Sequence, residues 1–445
     1  MVPEQREALD EIVTKMQAGR MSRRTFLERA VALGLASSAA VSLLEACGGG
    51  GNGGSGTTNI VWESEHDESG VYGALVDNYN KTNKDNVHVT FINGPNDTGQ
   101  LRTKFVTMLR GRSGSIDVMS MDIIWPAEFG GNGWTVPIDD KWPASERSKY
   151  LPGPVQGCTY NGKVWAAPFR TDAGLMYYRT DLVTTPPNTW EDLTKIATDL
   201  QGSGKVKYGY VWQGAQYEGL VCDFVEVIYG YGGSVLDPNN PKTVTVSQPP
   251  VQQGLTQMVG WIGPCSPAAV TNYKEEDART TWQNGDAAFM RNWPYAYSLG
   301  NDPSTSKIAG KFDVHTMLYG GSNTTGHSCI GGWNLGINAF SKNTDAAWKF
   351  VQYMMGSYAQ KQAALKASLT TTMLSVYDDA DVLAKNPFFK DLKPVFQTAQ
   401  PRPVTPKYPD VTLAIQNRVH AALLKQSSVS DSLNALSSDL QGIVA

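Results

Sequence analysis

Side chains that could bind a ligand occur in three stretches, at residues 63–68, 93–98 and 122–125. Carboxylates and amides accept or donate several hydrogen bonds, and a pair of carboxylates can also act as general acid and base. The five histidines of the chain have no metal-ligand spacing, and neither G-x-S-x-G nor G-x-x-x-x-G-K-[ST] occurs. Carboxylates are therefore the main candidates for chemistry in this chain. Because the phosphate-binding motif is missing, any ATP is expected to be bound by a partner protein.

The elements around these stretches alternate between strand and helix. Hydrophobic periodicity predicts strands at residues 59–62, 87–91 and 116–121, and helices at residues 70–80 and 98–110. This alternation is typical of a parallel sheet covered by helices. Because ligands bind such sheets at the carboxyl ends of the strands, these three stretches are expected to face one crevice.

The later part of the chain is predicted to be mostly helical. Asn161-Gly162 indicates a hairpin turn, and residues 328–337 are expected to be extended before a helix at residues 345–355. With 445 residues, two domains are expected from size.

Composition excludes several classes of protein. Lys and Arg number 38 against 42 Asp and Glu, and this near balance argues against a nucleic-acid binder. A hydrophobic fraction of 41% and an aromatic fraction of 10% are enough for a packed interior, so the chain is not a disordered one.

The first 58 residues are predicted to form an export signal followed by a flexible linker. Arg23-Arg24 precedes an apolar run at residues 30–44, which together resemble a twin-arginine export signal. The run ends at Cys47 in a sequence that resembles a lipobox, so Cys47 is predicted to be acylated; alternatively, it simply precedes the linker. Residues 1–46 are thus interpreted as an N-terminal extension and signal, and residues 47–58 as a Gly-rich tether.

Four further cysteines permit two disulfides in an exported protein. They are Cys158, Cys222, Cys265 and Cys329. The preferred pair is Cys222 with Cys265, because these residues are expected at adjoining ends of two successive helices. Free buried thiols are the alternative, since folding before export would take place in a reducing compartment.

Several segments of the mature chain, in order, resemble one family. They include Ala166-Ala167-Pro168, residues 216–233, the turn at residues 284–289, residues 291–295, Gly331-Gly332-Trp333 and Arg402-Pro403. Together these segments resemble the extracellular solute-binding proteins of sugar ABC transporters, closest to the trehalose and maltose-binding branch.

The resemblance implies an α/β, two-lobe periplasmic-binding-protein-like fold. Each lobe is then a mainly parallel sheet flanked by helices, and three hinge crossings join the lobes near residues 169–171, 329–331 and 371–375. Residues 59–168 and 332–370 are assigned to the N-terminal lobe, and residues 172–328 and 376–445 to the C-terminal lobe. Such lobes close over a ligand by hinge motion.

The family match also implies a set of ligand-binding residues. These are Glu68, Asp122, Asp172, Trp293, Gly331, Gly332, Trp333 and Arg402, with Trp125 added because it follows the same strand as Asp122. Carboxylates suit the hydroxyls of a sugar, and aromatic rings suit its C–H faces. Each residue has a plainer alternative: a charge at a helix N-terminus for Glu68, turn capping for the aspartates, core packing for the tryptophans and an ordinary surface charge for Arg402.

Two positions depart from the family pattern. Arg170 replaces an aromatic hydroxyl before Asp172, and Leu101 followed by Arg102 replaces an arginine at the start of the second helix. Arg170 is therefore added to the ligand-binding set, with three interpretations open: it bridges a changed pattern of sugar hydroxyls, binds an anionic sugar, or forms a structural salt bridge with Asp172.

The expected function is that of a lipid-anchored, extracytoplasmic receptor that is not an enzyme. It would bind a di- or oligosaccharide, with trehalose or maltose as the lead, and deliver it to ABC permease subunits with a separate ATPase. No cofactor, metal or nucleic acid is expected, and the chain is expected to be a monomer. One alternative is a secreted glycoside hydrolase that uses Asp122 and Asp172 as catalytic carboxylates. Another is a surface adhesin without a ligand cleft.

Overall fold

The computed structural model describes residues 56–405 and 407–445. Its strands belong to two larger sheets and two small hairpins. The strands are β1 (Thr58–Glu63), β2 (Val87–Ile92), β3 (Val118–Asp122), β4 (Thr159–Tyr160), β5 (Lys163–Val164), β6 (Ala167–Ala173), β7 (Leu175–Arg179), β8 (Tyr208–Val211), β9 (Leu236–Asp237), β10 (Asn240–Val244), β11 (Ala287–Asn292), β12 (Phe312–His315) and β13 (Ile330–Ile337).

Helices pack against both of the larger sheets. They are α1 (Val71–Thr82), α2 (Thr98–Arg110), α3 (Pro126–Gly131), α4 (Ala144–Arg147), α5 (Pro152–Gly157), α6 (Trp190–Gly202), α7 (Glu218–Gly230), α8 (Pro249–Trp261), α9 (Glu275–Gln283), α10 (Ala296–Gly300), α11 (Thr344–Met355), α12 (Ser357–Ala367), α13 (Ala380–Lys385), α14 (Leu392–Thr398), α15 (Tyr408–Leu423) and α16 (Val429–Val444). Short 3₁₀ helices lie at Ala268–Asn272, Leu374–Asp378 and Pro387–Asp391. Within the described residues, no helix has the length and apolarity needed to cross a membrane.

The first lobe is built on a five-stranded sheet in the order β2-β1-β3-β13-β6. β1 pairs in parallel with β2 and β3, which confirms the predicted strand-helix-strand alternation. Trp62 of β1 packs its indole 5.0 Å from the ring of Phe91 and 5.4 Å from that of Phe350. Burial of these large rings fixes the face of β1, and therefore fixes which of its residues reach the end of the sheet.

The second lobe is built on a four-stranded sheet in the order β12-β7-β11-β8. Only β11 and β8 are parallel, while β7 pairs antiparallel with both β11 and β12. In the first sheet, β13 likewise pairs antiparallel with β3 and β6. The sheets are thus mixed rather than mainly parallel, because strands that arrive from the other lobe enter each sheet in the reverse direction.

The chain crosses between the lobes three times. The first crossing is at Gly174, between β6 of one sheet and β7 of the other. The second lies between β12 and β13, where Ile330 begins the return strand. The third lies between α14, which ends at Thr398, and α15, which packs on α7 and α8 of the second lobe. The third crossing therefore lies later in the chain than residues 371–375, where it was predicted.

The residues from 374 to 398 account for this difference. α13 and the 3₁₀ helix at Leu374–Asp378 pack against α12 of the first lobe, and Val376, Val382 and Phe389 belong to the hydrophobic cluster that contains Trp62. Their burial holds this segment on the first lobe, whereas the sequence assignment placed residues 376–445 in the second. The remaining lobe limits stay predictions.

The predicted Cys222–Cys265 disulfide is wrong. All four cysteines of the described residues are free and buried. Cys265 follows the C-terminal end of α8, and its thiol contacts the carbonyl oxygen of Trp261. The thiol beside Cys222 is that of Cys329, and hydrogen bonding with Cys329 together with burial raises the pKa of Cys222. Cys47, the export signal and most of the tether lie outside the described residues.

Gly332 is held in a backbone conformation that other residues resist. Its φ is +136°, and a Cβ atom would lie 2.5 Å from the carbonyl oxygen of Arg170. Gly332→Ala is expected to lower the free energy of unfolding by about 2 kcal/mol or more, through backbone strain together with this clash. Urea unfolding would measure the change. Gly310→Ala is the control, since Gly310 also has positive φ but open space around it. A loss no larger than that of the control would contradict the clash.

Candidate functional site

A chamber lies between the two lobes at the carboxyl ends of β1 and β3. Nine of the predicted site residues line it: Glu68, Asp122, Arg170, Asp172, Trp293, Gly331, Gly332, Trp333 and Arg402. Trp125 does not line this chamber. It is buried against Phe129, with parallel rings 5.8 Å apart, and contributes to the wall of a groove outside the chamber. Ligand contact by any of these residues stays a prediction.

The strands determine which side chains face the chamber. Asp122 ends β3 and lies opposite Trp333 of β13. Arg170 and Asp172 of β6 are separated by one residue, so both point to the same side of the sheet. Gly331 lies beside Trp293, because a Cβ atom there would meet the indole at 2.9 Å. Strand pairing therefore sets Asp122 opposite Trp333, and the missing side chain at Gly331 leaves room for the Trp293 indole.

Arg402 joins the two lobes at the chamber wall. Its Nη2 donates to Asp122 of the first lobe at 2.6 Å, and its Nη1 donates to Glu218 of the second lobe at 2.8 Å. Glu218 also accepts hydrogen bonds from the hydroxyls of Tyr408 and Thr412. Burial raises the pKa of Glu218, while Arg402 acts against that rise. The alternative that Arg402 is an ordinary surface charge is wrong, since 3% of it is exposed.

Arg170 lies between two carboxylates. Its Nη1 is 3.4 Å from Asp172 and its Nε is 3.3 Å from Glu65. Burial raises the pKa values of both carboxyls, and the guanidinium opposes this. Arg170 thus forms the ion pair with Asp172 that was one of its three interpretations, and Glu65 is a second partner that the sequence did not suggest. Glu65 is also fixed at its Oε1 atom, which accepts a hydrogen bond from the Tyr72 hydroxyl at 2.5 Å.

Trp293 supplies an aromatic wall on the second lobe. The guanidinium of Arg291 stacks on its ring, 3.9 Å from the centroid. Its Nε1 donates to Glu275 at 3.3 Å, and Glu275 accepts a second hydrogen bond from the Tyr217 hydroxyl at 2.6 Å. These contacts fix the plane of an indole that lines the chamber.

Sequence reasoning missed several residues that line the chamber. They are Glu65, Asp67, Asp97, Tyr217, Glu218, Glu275, Glu276 and Tyr295. Glu65, Asp67 and Asp97 lie inside stretches that were selected as whole segments, and Tyr217 and Glu218 lie inside residues 216–233, which carried the family resemblance. A search for every carboxylate in those segments would have found four of these eight residues: Glu65, Asp67, Asp97 and Glu218.

The second departure from the family pattern, Leu101 followed by Arg102, lies outside the chamber. Leu101 is fully buried in the core of the first lobe. Arg102 pairs with Glu128 in the groove outside the chamber. Arg102 therefore does not place a cation in the chamber.

The chamber combines hydrogen-bonding carboxylates with aromatic surface. No group of three or more metal-ligating side chains is present among the described residues. Cations near the chamber wall, such as Arg170 and Arg402, are held by carboxylates. This arrangement can bind a polyhydroxylated ligand that carries no negative charge.

Comparison with known proteins gives a consistent result. Residues 62–361 match the family described as bacterial extracellular solute-binding protein. A probable ABC transporter-binding protein of Deinococcus radiodurans is 38% identical over 368 residues, covering 80% of this chain and 86% of that protein. Maltose-bound MalE3 of T. maritima is 35% identical with a TM-score of 0.82, over 86% of this chain and 99% of that one. The GacH receptor of Streptomyces glaucescens, solved unliganded and with acarbose, is 26% identical with a TM-score of 0.78, over 87% and 98%.

Proposed function

This chain belongs to the family of bacterial extracellular solute-binding proteins, and we propose that it binds an uncharged di- or oligosaccharide between its lobes for delivery to an ABC permease. The observation that carries the proposal is the chamber itself. This gap between two lobes is lined by Asp122, Asp172, Glu65 and Trp293. Sugar hydroxyls match the carboxylates, and the apolar faces of a sugar ring match the indole.

The relatives support a glucose-based ligand as the lead. MalE3 of T. maritima was solved with maltose, and the GacH receptor was solved with acarbose. Maltose and trehalose are therefore the first candidates for this chain. A dissociation constant near micromolar, about −8 kcal/mol, would suit capture followed by release.

The distribution of charge favours an uncharged sugar over an anionic one. Arg170 and Arg402 are the cations that line the chamber, and each is bound to two carboxylates. A sugar carboxylate would enter among Asp172, Glu218 and Glu275 without a free cation to meet it. Arg170 therefore serves better as a support for Asp172 and Glu65 than as a binder of an anionic sugar.

A sugar panel tests this proposal. Maltose, trehalose and longer gluco-oligosaccharides, together with a uronic-acid disaccharide, would be added to the mature protein while tryptophan emission is followed. We expect a saturable emission change with an uncharged sugar. The uronic-acid disaccharide should bind at least about tenfold more weakly than the uncharged sugar, because its carboxylate would be brought close to carboxylates of the chamber. Tighter binding of the acidic sugar would contradict the charge argument. No emission change or calorimetric heat with any sugar would contradict the proposed function.

The alternative of a glycoside hydrolase has less support from the geometry. Both carboxylate oxygens of Asp122 are engaged by Arg402, at 2.6 and 3.3 Å. Both oxygens of Asp122 are thus directed at the guanidinium, whereas a hydrolase needs its two carboxyl groups to reach the scissile bond. A reducing-sugar assay on the same samples separates the two functions, since turnover would indicate the hydrolase.

The proposal includes the location and the partners of the protein. An extracytoplasmic position follows from the family, and we propose anchoring through an acylated Cys47 after export by the twin-arginine signal. The protein is proposed to act as a monomer that presents the closed lobes to permease subunits with a separate ATPase.

A further inference from the structure

The chamber opens onto a second cavity, an outer groove between α2 and α15. Five residues line both cavities and so mark the mouth between them: Asp97, Thr98, Asp122, Tyr217 and Glu218. Three of these are carboxylates. Each one belongs to an ion pair or bridge that connects the first lobe to the second.

Asp97 and Lys274 form one of these interlobe contacts. Asp97 precedes α2 in the first lobe, where its Oδ1 accepts the backbone N–H of Gln100 at 3.0 Å and caps the helix. Lys274 precedes α9 in the second lobe, and its Nζ donates to the free Oδ2 of Asp97 at 2.6 Å. The ammonium also lies 5.3 Å from the ring centroid of Tyr217. At the mouth of the chamber, Asp97 is thus held by its contact with the start of α2, and Lys274 by its contact with the ring of Tyr217.

The two partners come from different lobes, so the contact depends on closure. An ion pair needs its charges within about 4 Å, and any opening of the hinge would separate them. The pair is only partly shielded, with 16% of the Asp97 side chain and 28% of the Lys274 side chain exposed. A ligand that continues from the chamber into the groove would have to pass this mouth while the pair is formed.

We propose that Asp97 and Lys274 form a latch that closes the mouth of the chamber and favours sugars short enough to end inside it. This inference rests on the proposed function and specifies the ligand as a short saccharide. A short sugar allows the latch to form and is released slowly. A longer saccharide extends through the mouth and keeps Asp97 and Lys274 apart, so the ion pair adds nothing to its affinity.

Two substitutions remove the latch without removing the helix caps. Asp97→Asn keeps an N-cap acceptor for α2 but loses the charge, and Lys274→Met keeps the length of the stem but loses the ammonium. In each variant we expect the affinity for maltose to fall roughly three- to fivefold, mainly through faster dissociation. The affinity for maltotetraose should change by less than twofold, so the preference of the wild type for the shorter sugar narrows.

Stopped-flow fluorescence with maltose and maltotetraose would measure both dissociation rates. Lys349→Met is the control, because Lys349 forms an ion pair with Asp85 at 3.0 Å whose partners both belong to the first lobe. The double variant Asp97→Asn/Lys274→Met should lose no more than either single variant, since all three lack the same contact.

Unchanged maltose dissociation in both variants would overturn the latch. An equal loss of affinity for both sugars, or a wild type that binds maltotetraose more tightly than maltose, would overturn the preference for short sugars. These results are separate from failure of the proposed function, which would appear as a wild-type protein that binds no sugar of the panel.

Discussion

Trp293→Ala is expected to weaken sugar binding at least tenfold while the protein stays folded. The indole is the aromatic face of the second lobe in the chamber, and Arg291 and Glu275 fix its plane. A fixed ring needs no reordering when a sugar arrives, so its loss removes contact area and preorganisation together. Buried aromatic contacts of this kind contribute about 2 kcal/mol or more to binding, which corresponds to more than tenfold in the dissociation constant.

Isothermal titration calorimetry would measure this effect, because substitution of Trp293 also changes the fluorescence signal. Trp293→Phe is the matched variant: it keeps an aromatic face and loses the hydrogen bond to Glu275, so it should recover most of the affinity. A thermal midpoint close to that of the wild type would show that the fold is retained. Unchanged affinity in Trp293→Ala would mean that the ligand lies elsewhere in the groove or on another surface.

The first lobe was predictable because its signals are local. Strands β1, β2 and β3 and helices α1 and α2 begin and end within two residues of their expected limits. A helix cap such as Asp97 and a terminator such as Gly111 are written into the adjacent sequence. Asp122 and the stretch at residues 63–68 followed from the rule that strand ends face the crevice.

The ion pairs of the chamber were not predictable in the same way. Arg402 meets Asp122 and Glu218 across separations of 280 and 184 residues, and no periodicity connects them. Sequence reasoning could see a charged residue between two prolines but not which carboxylates it would reach. The same limit explains the disulfide error: nearness of Cys222 and Cys265 depends on how two helices pack, whereas the structure places the thiol of Cys329 beside Cys222.

The third hinge crossing shows a related limit. A resemblance transfers the number of crossings, but the residues at which the chain leaves a lobe depend on side chains that pack late in the sequence. Val382 and Phe389 are fully or almost fully buried against the first lobe. Because these residues are buried in the first lobe, the chain crosses to the second lobe only after Thr398.

Glu226→Ala is expected to cost about 3–5 kcal/mol of unfolding free energy, the largest loss of stability among these variants. Arg291 is almost fully buried and donates to both carboxylate oxygens of Glu226 at 2.7 Å. Asp223 is 3.1 Å from the same guanidinium, and burial raises the pKa of its carboxyl. Removal of Glu226 leaves the guanidinium with a single carboxylate partner in an apolar interior. It also removes the acceptor for the backbone N–H of Cys329, at 3.0 Å, where the chain returns to the first lobe.

Urea unfolding followed by circular dichroism would measure the loss. Asp439→Asn is the control, because its pair with Arg418 at 2.8 Å lies on the surface and should contribute less than about 1 kcal/mol. The buried pair also supports the site, since the guanidinium that Glu226 holds is the one on which Trp293 stacks. Glu226→Ala should therefore weaken sugar binding even under conditions in which it is fully folded. A variant as stable as the control would contradict this account, because it would mean that the interior tolerates the buried guanidinium without its main partner.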